Sequence, residues 1–182
     1  MSLSVKWRWR SVIFYSEFSH MLIQEKIGQM GSFEVRGRLV DMLELEWYET
    51  GKRIMRKHTR GGKEVALRFL KENPGLTEGD VLYADELMVV AVEIIPCEVM
   101  VIRMASLQTV ASVCYEIGNR HLPLFFQEGN LLAPFEEPLY RWLVAGGYDV
   151  SREEKKLLCP LRSTVAGHVH SSGGLLSKIL RV

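Results

Sequence analysis

Short alternations of apolar and polar residues dominate the first half of the chain, from residue 22 to residue 85. Residues 33–40 partly alternate and residues 43–47 alternate strictly, as half-buried strands do. Two further strands are predicted at residues 53–59 and 64–69. Turns that contain glycine or proline separate these segments, so the pattern predicts a small, mostly antiparallel β domain.

The pattern changes at Pro96, which follows a further predicted strand. Proline fixes its own φ angle and donates no backbone hydrogen bond, so we expect a joint between two domains there. Beyond it the segments follow the order β-α-β-β-α-β, which is that of a ferredoxin-like domain. The predicted elements are a strand at residues 98–103, a helix capped by Ser106 and ended by Gly118-Asn119, strands at residues 122–127 and 131–135, a helix at residues 136–147 and a strand at residues 155–161.

Each predicted helix carries apolar residues at spacings of three and four, which indicates one buried stripe per helix. The stripe of the first helix consists of Leu107, Val110, Ala111, Cys114 and Ile117, and that of the second of Leu139, Trp142 and Leu143.

The fold class is therefore α+β, and four segments divide the chain. Residues 1–20 start with a basic, tryptophan-rich stretch but lack the apolar core of a secretory signal, so we interpret them as a leader or a disordered extension. Residues 21–95 form the β-rich domain and residues 96–162 the ferredoxin-like domain. Residues 163–182 follow no regular pattern and are expected to form a flexible tail that carries histidines.

Composition excludes some classes of function. Lys plus Arg number 23 against 22 Asp plus Glu, and such a balance argues against nucleic-acid binding, which favours a basic excess. No apolar run approaches the roughly 18 residues that a membrane-spanning helix needs. The three cysteines are odd in number and widely spaced, so a disulfide framework is not expected and a cytoplasmic location is.

The histidines are the strongest candidates for chemistry. His20 lies in the excluded leader, and His58, between Lys57 and Thr59, fits a solvated strand or loop residue. His121 directly follows the predicted helix end, where a histidine is usually structural but can also be a metal ligand. In an extended segment His168 and His170 project to the same side, so both imidazoles could face one ion.

Neither histidine site is complete by itself. Sites for Ni²⁺ or Zn²⁺ normally need three or more ligands, and imidazole suits both metals. A two-fold axis would double the contribution of His121 by placing two copies side by side.

Other motifs are absent or weak. The sequence contains neither a phosphate-binding P-loop nor a dinucleotide-binding glycine pattern. Cys114 falls on a predicted buried stripe, and no Cys-x-x-Cys supports Cys97 as a ligand. Glu136-Glu137 fits the start of a helix better than a pair of acid–base groups.

Residues 113–124, Val-Cys-Tyr-Glu-Ile-Gly-Asn-Arg-His-Leu-Pro-Leu, strongly resemble the signature of the UreE family of urease accessory nickel metallochaperones. Residues 79–83 and 93–102 resemble that family's domain junction, and residues 161–166, followed by histidines, resemble its tail. The likeness extends over residues 21–170, which is most of the chain.

The resemblance implies an N-terminal domain similar to a chaperone peptide-binding domain, and a ferredoxin-like domain through which the protein dimerises. It implies that His121 of each subunit binds nickel at the dimer interface, that His168 and His170 add ligands, and that Zn²⁺ or Cu²⁺ can substitute. It further implies delivery of nickel to the urease apoprotein together with an accessory GTPase, without enzymatic activity. Pairing of dimers around a shared ion is left open.

Two departures from the family pattern limit these implications. The tail holds two histidines rather than a long histidine-rich stretch, so we expect few bound ions and little storage. The predicted strand at residues 131–135 has none of the extra histidines that some members carry there, which puts a peripheral site in doubt.

Two other classes of function stay open on the residues alone. A ferredoxin-like enzyme could use His121 for acid–base chemistry with Glu116 or Glu137, because fold does not fix function. A protein-interaction module with incidental histidines is the other alternative.

Overall fold

The computed structural model describes residues 21–69 and 75–161, which form two domains. The N-terminal domain consists of strands with a short 3₁₀ helix, Trp47–Glu49, after the third of them. The strands are β1 (Met21–Ile23), β2 (Gly28–Gln29), β3 (Leu39–Leu45), β4 (Ile54–His58), β5 (Glu64–Arg68), β6 (Asp80–Ala84) and β7 (Met88–Ile94).

Two sheets build this N-terminal domain. One has the strand order β1-β5-β4 and the other β2-β6-β7-β3. Side chains from both sheets, such as Leu67 on β5 and Val92 on β7, are buried in one shared core. The pairs β1–β5 and β3–β7 run parallel and the other described pairs run antiparallel, a mixture that residue alternation alone does not indicate.

The predicted strand at residues 33–40 is wrong over most of its length. Residues 33–38 form a turn in which Arg36 and Gly37 both have positive φ angles, 47° and 73°, and β3 starts only at Leu39. The partial alternation is therefore that of a surface loop. Trp47, the last residue of the strictly alternating segment, lies in the 3₁₀ helix instead of the strand.

The C-terminal domain has the ferredoxin-like topology that the sequence predicts. Its sheet has the order β11-β8-β10-β9, and both helices pack on one face of it. The elements are β8 (Cys97–Ile102), α1 (Leu107–Asn119), β9 (Phe125–Gln127), β10 (Asn130–Pro134), α2 (Glu137–Ala145) and β11 (Val150–Lys155).

Strand β8 is buried on both of its faces, which explains its continuous apolar sequence. Met100 and Ile102 contribute to the core under the helices, whereas Val99 and Val101 contribute to a second cluster on the opposite face. That second cluster includes the half-buried Trp47 of the N-terminal domain, so the central strand supports both the helical layer and the domain junction.

The predicted last strand, residues 155–161, is placed too late. The final strand, β11, is Val150–Lys155, and it pairs with β8 at an edge of the sheet. Most of its residues are polar, as is common for an exposed edge strand, so its sequence gives little apolar signal. Residues 156–161 instead cross to the other edge, where Pro160 lies opposite Phe125.

The two domains are joined by only Ile95 and Pro96, which separate β7 from β8. The N–H of Ile95 donates to the carbonyl of Leu45 at 2.9 Å, which fixes the end of the N-terminal domain. Across the junction Lys156 Nζ lies 2.8 Å from Glu78 Oε1. Among the described residues no helix is both long and apolar enough to cross a membrane.

Candidate metal site at the end of helix α1

Helix α1 is defined at both ends by hydrogen bonds to its terminal backbone groups. At its start the Ser106 hydroxyl accepts from the N–H of Thr109 at 3.1 Å, as the sequence predicts for a helix cap. At its end His121 N–H donates to Gly118 O at 3.0 Å, and Leu122 N–H donates to Ile117 O at 3.2 Å. This pair of bonds is a Schellman motif, which satisfies carbonyls that the helix leaves without partners.

His121 occupies the left-handed position of this motif, with φ of 55°. Glycine is the usual residue there because any Cβ is disfavoured in the left-handed region. The sequence interpretation that Gly118-Asn119 ends the helix is wrong by two residues, since both belong to α1 and Arg120 is its cap. The exposed imidazole of His121 therefore projects from a backbone that two hydrogen bonds fix.

Arg120, next to the candidate ligand, connects the two helices of the domain. Its Nε donates to Glu116 Oε1 at 2.9 Å within α1, and its Nη1 lies 3.6 Å from Glu136 Oε2. Glu136 is in turn the cap of α2, because its carboxylate accepts from the N–H of Leu139 at 3.0 Å. The position of the His121 backbone is thus tied to the start of α2. Sequence reasoning gave Arg120 no role, although it stands within the motif that carries the family resemblance.

The predicted buried stripe of α1 is partly wrong. Val113 and Ile117 are the buried residues, with Val110 and Cys114 partly buried against the same core. Leu107, at 84% exposure, points to solvent instead.

A second row of apolar and small residues remains on the outer side of α1, and we call it the outer stripe. It consists of Leu107, Ala111, Tyr115 and Gly118, spaced by four, four and three residues, so its members share one helix face. All four are exposed, Tyr115 by 72%, and a side chain at Gly118 would meet no atom within 4 Å. The outer stripe ends three residues before His121, and an apolar face of this kind is typical of a protein contact.

The other candidate residues do not join His121. His58 is at the end of β4 in the N-terminal domain and exposed, as predicted for a solvated strand residue. His20, His168 and His170 lie outside the described residues. Within residues 21–69 and 75–161 no group of three or more His, Cys, Asp or Glu side chains is placed to hold a metal ion. A complete site must therefore take ligands from elsewhere.

Two of the cysteines are poor ligands or nucleophiles at neutral pH. Burial raises the pKa of the Cys97 thiol, and the nearby Glu46 and Glu154 carboxylates raise it further. Burial also raises the pKa of the Cys114 thiol, which packs against the helical core. Since the thiolate is the reactive and metal-binding form, both thiols are better described as packing residues.

The carboxylates considered for acid–base chemistry are paired with arginines. Glu137 accepts a hydrogen bond from Arg141 Nε at 2.6 Å, and Glu116 accepts one from Arg120. A cavity of about 310 Å³ lies at the opposite end of α1, near Ser106, and His121 does not line it. The geometry around His121 is that of an exposed ligand beside an apolar surface.

Comparison with protein families gives a match over both domains. Residues 23–95 match the N-terminal domain of the UreE urease accessory protein, and residues 97–172 match its C-terminal domain.

Individual proteins give the same relationship. The chain is 45% identical to a urease accessory protein UreE from Flavobacterium johnsoniae over 163 residues, which cover 89% of this chain and 99% of that protein. It is 38% identical to the Actinobacillus pleuropneumoniae UreE, with 81% of each chain covered. It is 33% identical to the Acetivibrio thermocellus UreE, with 83% of this chain and 98% of that protein covered.

Proposed function

Because this chain belongs to the UreE family of urease accessory proteins, we propose that it carries nickel for urease assembly as a homodimer. In this proposal His121 of each subunit binds one shared Ni²⁺ at the dimer interface, and the ion is cargo. The observation that carries it is the fixed, left-handed position of His121 at the end of the exposed outer stripe.

The outer stripe supports dimerisation through α1. Leu107 and Tyr115 would leave water if two copies of α1 met across a two-fold axis, and the absence of a side chain at Gly118 allows close approach near His121. Such a contact supplies two imidazoles to one ion. This assigns metal binding and dimerisation to residues 96–162, and leaves residues 21–95 free to contact other proteins.

Two imidazoles do not complete a nickel site, so further ligands are needed. His168 and His170 are the remaining histidines beyond the C-terminal domain, and we propose that they supply them. Ordering a segment costs about 1–2 kcal/mol per residue, which keeps the affinity moderate. A carrier benefits from this, since outer ligands can leave one at a time when a partner takes the ion.

The partners in this proposal are the urease apoprotein, which receives the ion, and the accessory GTPase of the same assembly, and the location is cytoplasmic. The protein acts by binding and release and catalyses no reaction. An acid–base enzyme would need His121 beside a carboxylate in an enclosed site, whereas the imidazole is exposed and the carboxylates named above bind arginines.

Calorimetric titration of Ni²⁺ into the full chain and into His121→Ala tests the metal proposal. We expect the substitution to remove the tightest binding step while circular dichroism and the dimer stay unchanged. His58→Ala is the matched control, because it removes an exposed histidine from the other domain. Unchanged nickel affinity in a folded, dimeric His121→Ala protein would refute the role of His121.

The dimer is tested separately with Tyr115→Arg, which places a charge on the outer stripe. Two such charges would meet near the axis and repel each other, so light scattering should show monomers. Leu87→Arg, at an equally exposed position on the N-terminal domain, should leave the dimer intact. A dimer that survives Tyr115→Arg would place the interface elsewhere.

A further inference from the structure

The segment that leads out of the C-terminal domain is fixed to the sheet, and we call residues 157–161 the tail root. Leu157 is 3% exposed and packs in the cluster that contains Val99 and Phe125. Burial of a leucine contributes about 2 kcal/mol, so this residue holds the start of the tail root firmly.

The side chain of Gln127 on β9 binds the backbone of the same segment from both sides. Its Nε2 donates to the carbonyl of Lys156 at 3.0 Å. Its Oε1 accepts from the N–H of Leu158 at 2.6 Å and from that of Cys159 at 3.4 Å. One amide thus takes the place of a neighbouring strand for three consecutive residues.

Beyond this amide, the tail root pairs with the chain that leads into β9. The N–H of Phe126 donates to Cys159 O at 3.1 Å, and the N–H of Leu161 donates to Leu124 O at 2.8 Å. As residue numbers rise in the tail root they fall in its partner, so the two segments are antiparallel. The tail root therefore runs toward His121, and its last described residue lies beside Leu124.

We propose that Gln127 is a positioning residue for metal binding, which holds the tail root so that residues beyond it start next to His121. The inference rests on the proposed function, since it assigns His168 and His170 to the ion that His121 binds. Gln127 touches neither the ion nor a ligand. It acts by setting the place and direction from which the tail departs.

The distances suit this role. Seven residues separate Leu161 from His168, and a flexible chain of seven residues spans about 15 Å. Leu124 is three residues from His121, at most about 10 Å along the chain, and paired strands lie about 5 Å apart. A linker whose mean span matches the distance it must bridge gives the highest effective concentration of its ligand.

The test measures how much the tail contributes to nickel affinity, expressed as a tail factor. This factor is the Kd of the His168→Ala/His170→Ala protein divided by the Kd of the protein with both histidines. It is measured by calorimetry in the full-length dimer, in the Gln127→Leu variant and in a variant with ten Gly/Ser residues inserted after Leu161. Gln29→Leu is the matched control, because Gln29 Nε2 also donates to a backbone carbonyl, that of Glu78, in the other domain.

We expect Gln127→Leu to lower the tail factor at least about twofold, since freeing four more residues reduces effective concentration by that amount from length alone. The insertion should lower it about fourfold by the same relation, and it leaves Gln127 intact should Gln127→Leu fold poorly. Gln29→Leu should not change it. A merely structural role for Gln127 would lower thermal stability without changing the tail factor.

The outcomes separate this inference from the proposed function. If His121→Ala abolishes nickel binding but the tail factor is the same in all backgrounds, the positioning role is refuted and nickel binding stands. A tail factor of one in the unaltered protein also refutes it. If His121→Ala leaves nickel binding unchanged, the proposed function itself fails.

Discussion

The ring of Trp47, in the N-terminal domain, meets the ring of Phe125, in the C-terminal domain, edge to face, with centroids 5.7 Å apart and planes at 84°. Trp47 also packs against the core of its own domain. One side chain therefore links the two hydrophobic interiors across a connection of only two residues, and it should make the domains unfold together.

Replacing Trp47 by alanine should separate the unfolding of the two domains. We expect a loss of about 2–3 kcal/mol, because a half-buried aromatic side chain and its ring contact are removed. Urea denaturation followed by circular dichroism should change from one transition to two.

Trp142→Ala is the control for this experiment. Trp142 stacks on Tyr148 within the C-terminal domain at 5.3 Å and makes no bridge to the other domain's core. Its removal should lower stability while a single transition remains. Two transitions in this control, or one in Trp47→Ala, would contradict the role assigned to Trp47.

The ion pairs of Lys156 should make the domain junction sensitive to acid. Burial alone would raise the pKa of the Glu93 carboxyl, but hydrogen bonds and charge from Lys156 and Arg60 lower it overall. A carboxyl with a lowered pKa stabilises the fold above its ordinary value of 4.5, and this contribution is lost as the pH falls through the lower folded value. The unaltered protein should therefore lose stability more steeply below pH 4.5 than Lys156→Met.

Lys155→Met provides the comparison for this pH series. Lys155 lies 3.3 Å from Glu128, so its ion pair lies within the C-terminal domain. Thermal unfolding between pH 6 and pH 3.5 should show the reduced acid sensitivity in Lys156→Met and not in Lys155→Met. Parallel curves for the unaltered protein and Lys156→Met would rule out a contribution of this ion pair.

Replacing His121 by glycine should stabilise the protein while it removes nickel binding. The left-handed conformation costs a residue with a Cβ about 1 kcal/mol, and glycine avoids this cost. A gain of up to about 1 kcal/mol in urea denaturation is expected, together with loss of the tightest nickel step.

Glu128→Gly separates the two effects. Glu128 also has a positive φ, 51°, in the tight turn between β9 and β10, so glycine should stabilise there too. Its nickel affinity should stay that of the unaltered protein. If His121→Gly destabilises the protein, the histidine makes contacts that outweigh the backbone cost.

Arg120→Ala tests whether the connection from α1 to α2 matters for the metal. Exposed ion pairs contribute little to stability, at most about 1 kcal/mol, but looser placement of a ligand weakens metal binding, here by about tenfold. Arg141→Ala breaks a similar pair with Glu137 on α2 and should not affect nickel affinity. Equal nickel affinities for the two variants would show that Arg120 has no positioning role.

The fold class and the order of elements could be predicted because apolar spacing and turn residues encode them locally. The strands on either side of Gly61-Gly62 were predicted within a residue or two for this reason. The edge strand β11 was misplaced because its polar sequence carries no burial signal, and the turn at residues 33–38 resembled a strand because surface loops can also alternate.

The candidate site could be predicted only in part. The sequence singled out His121 through its motif, but not its left-handed conformation, because this depends on hydrogen bonds formed by its neighbours. It also could not decide which side of α1 faces the sheet, since Val113 and Leu107 lie on different faces and both faces carry apolar residues. Gln127 gave no signal, because its partners lie about thirty residues away.

The end of α1 also limits how far the β9 edge can recruit another strand. The N–H of Leu122 is already committed to Ile117 O, and Pro123 has none to give. A chain laid along this edge therefore runs out of backbone donors just past Leu124 and must peel away there. The same two residues that close the helix thus release any neighbouring segment within a few residues of the imidazole.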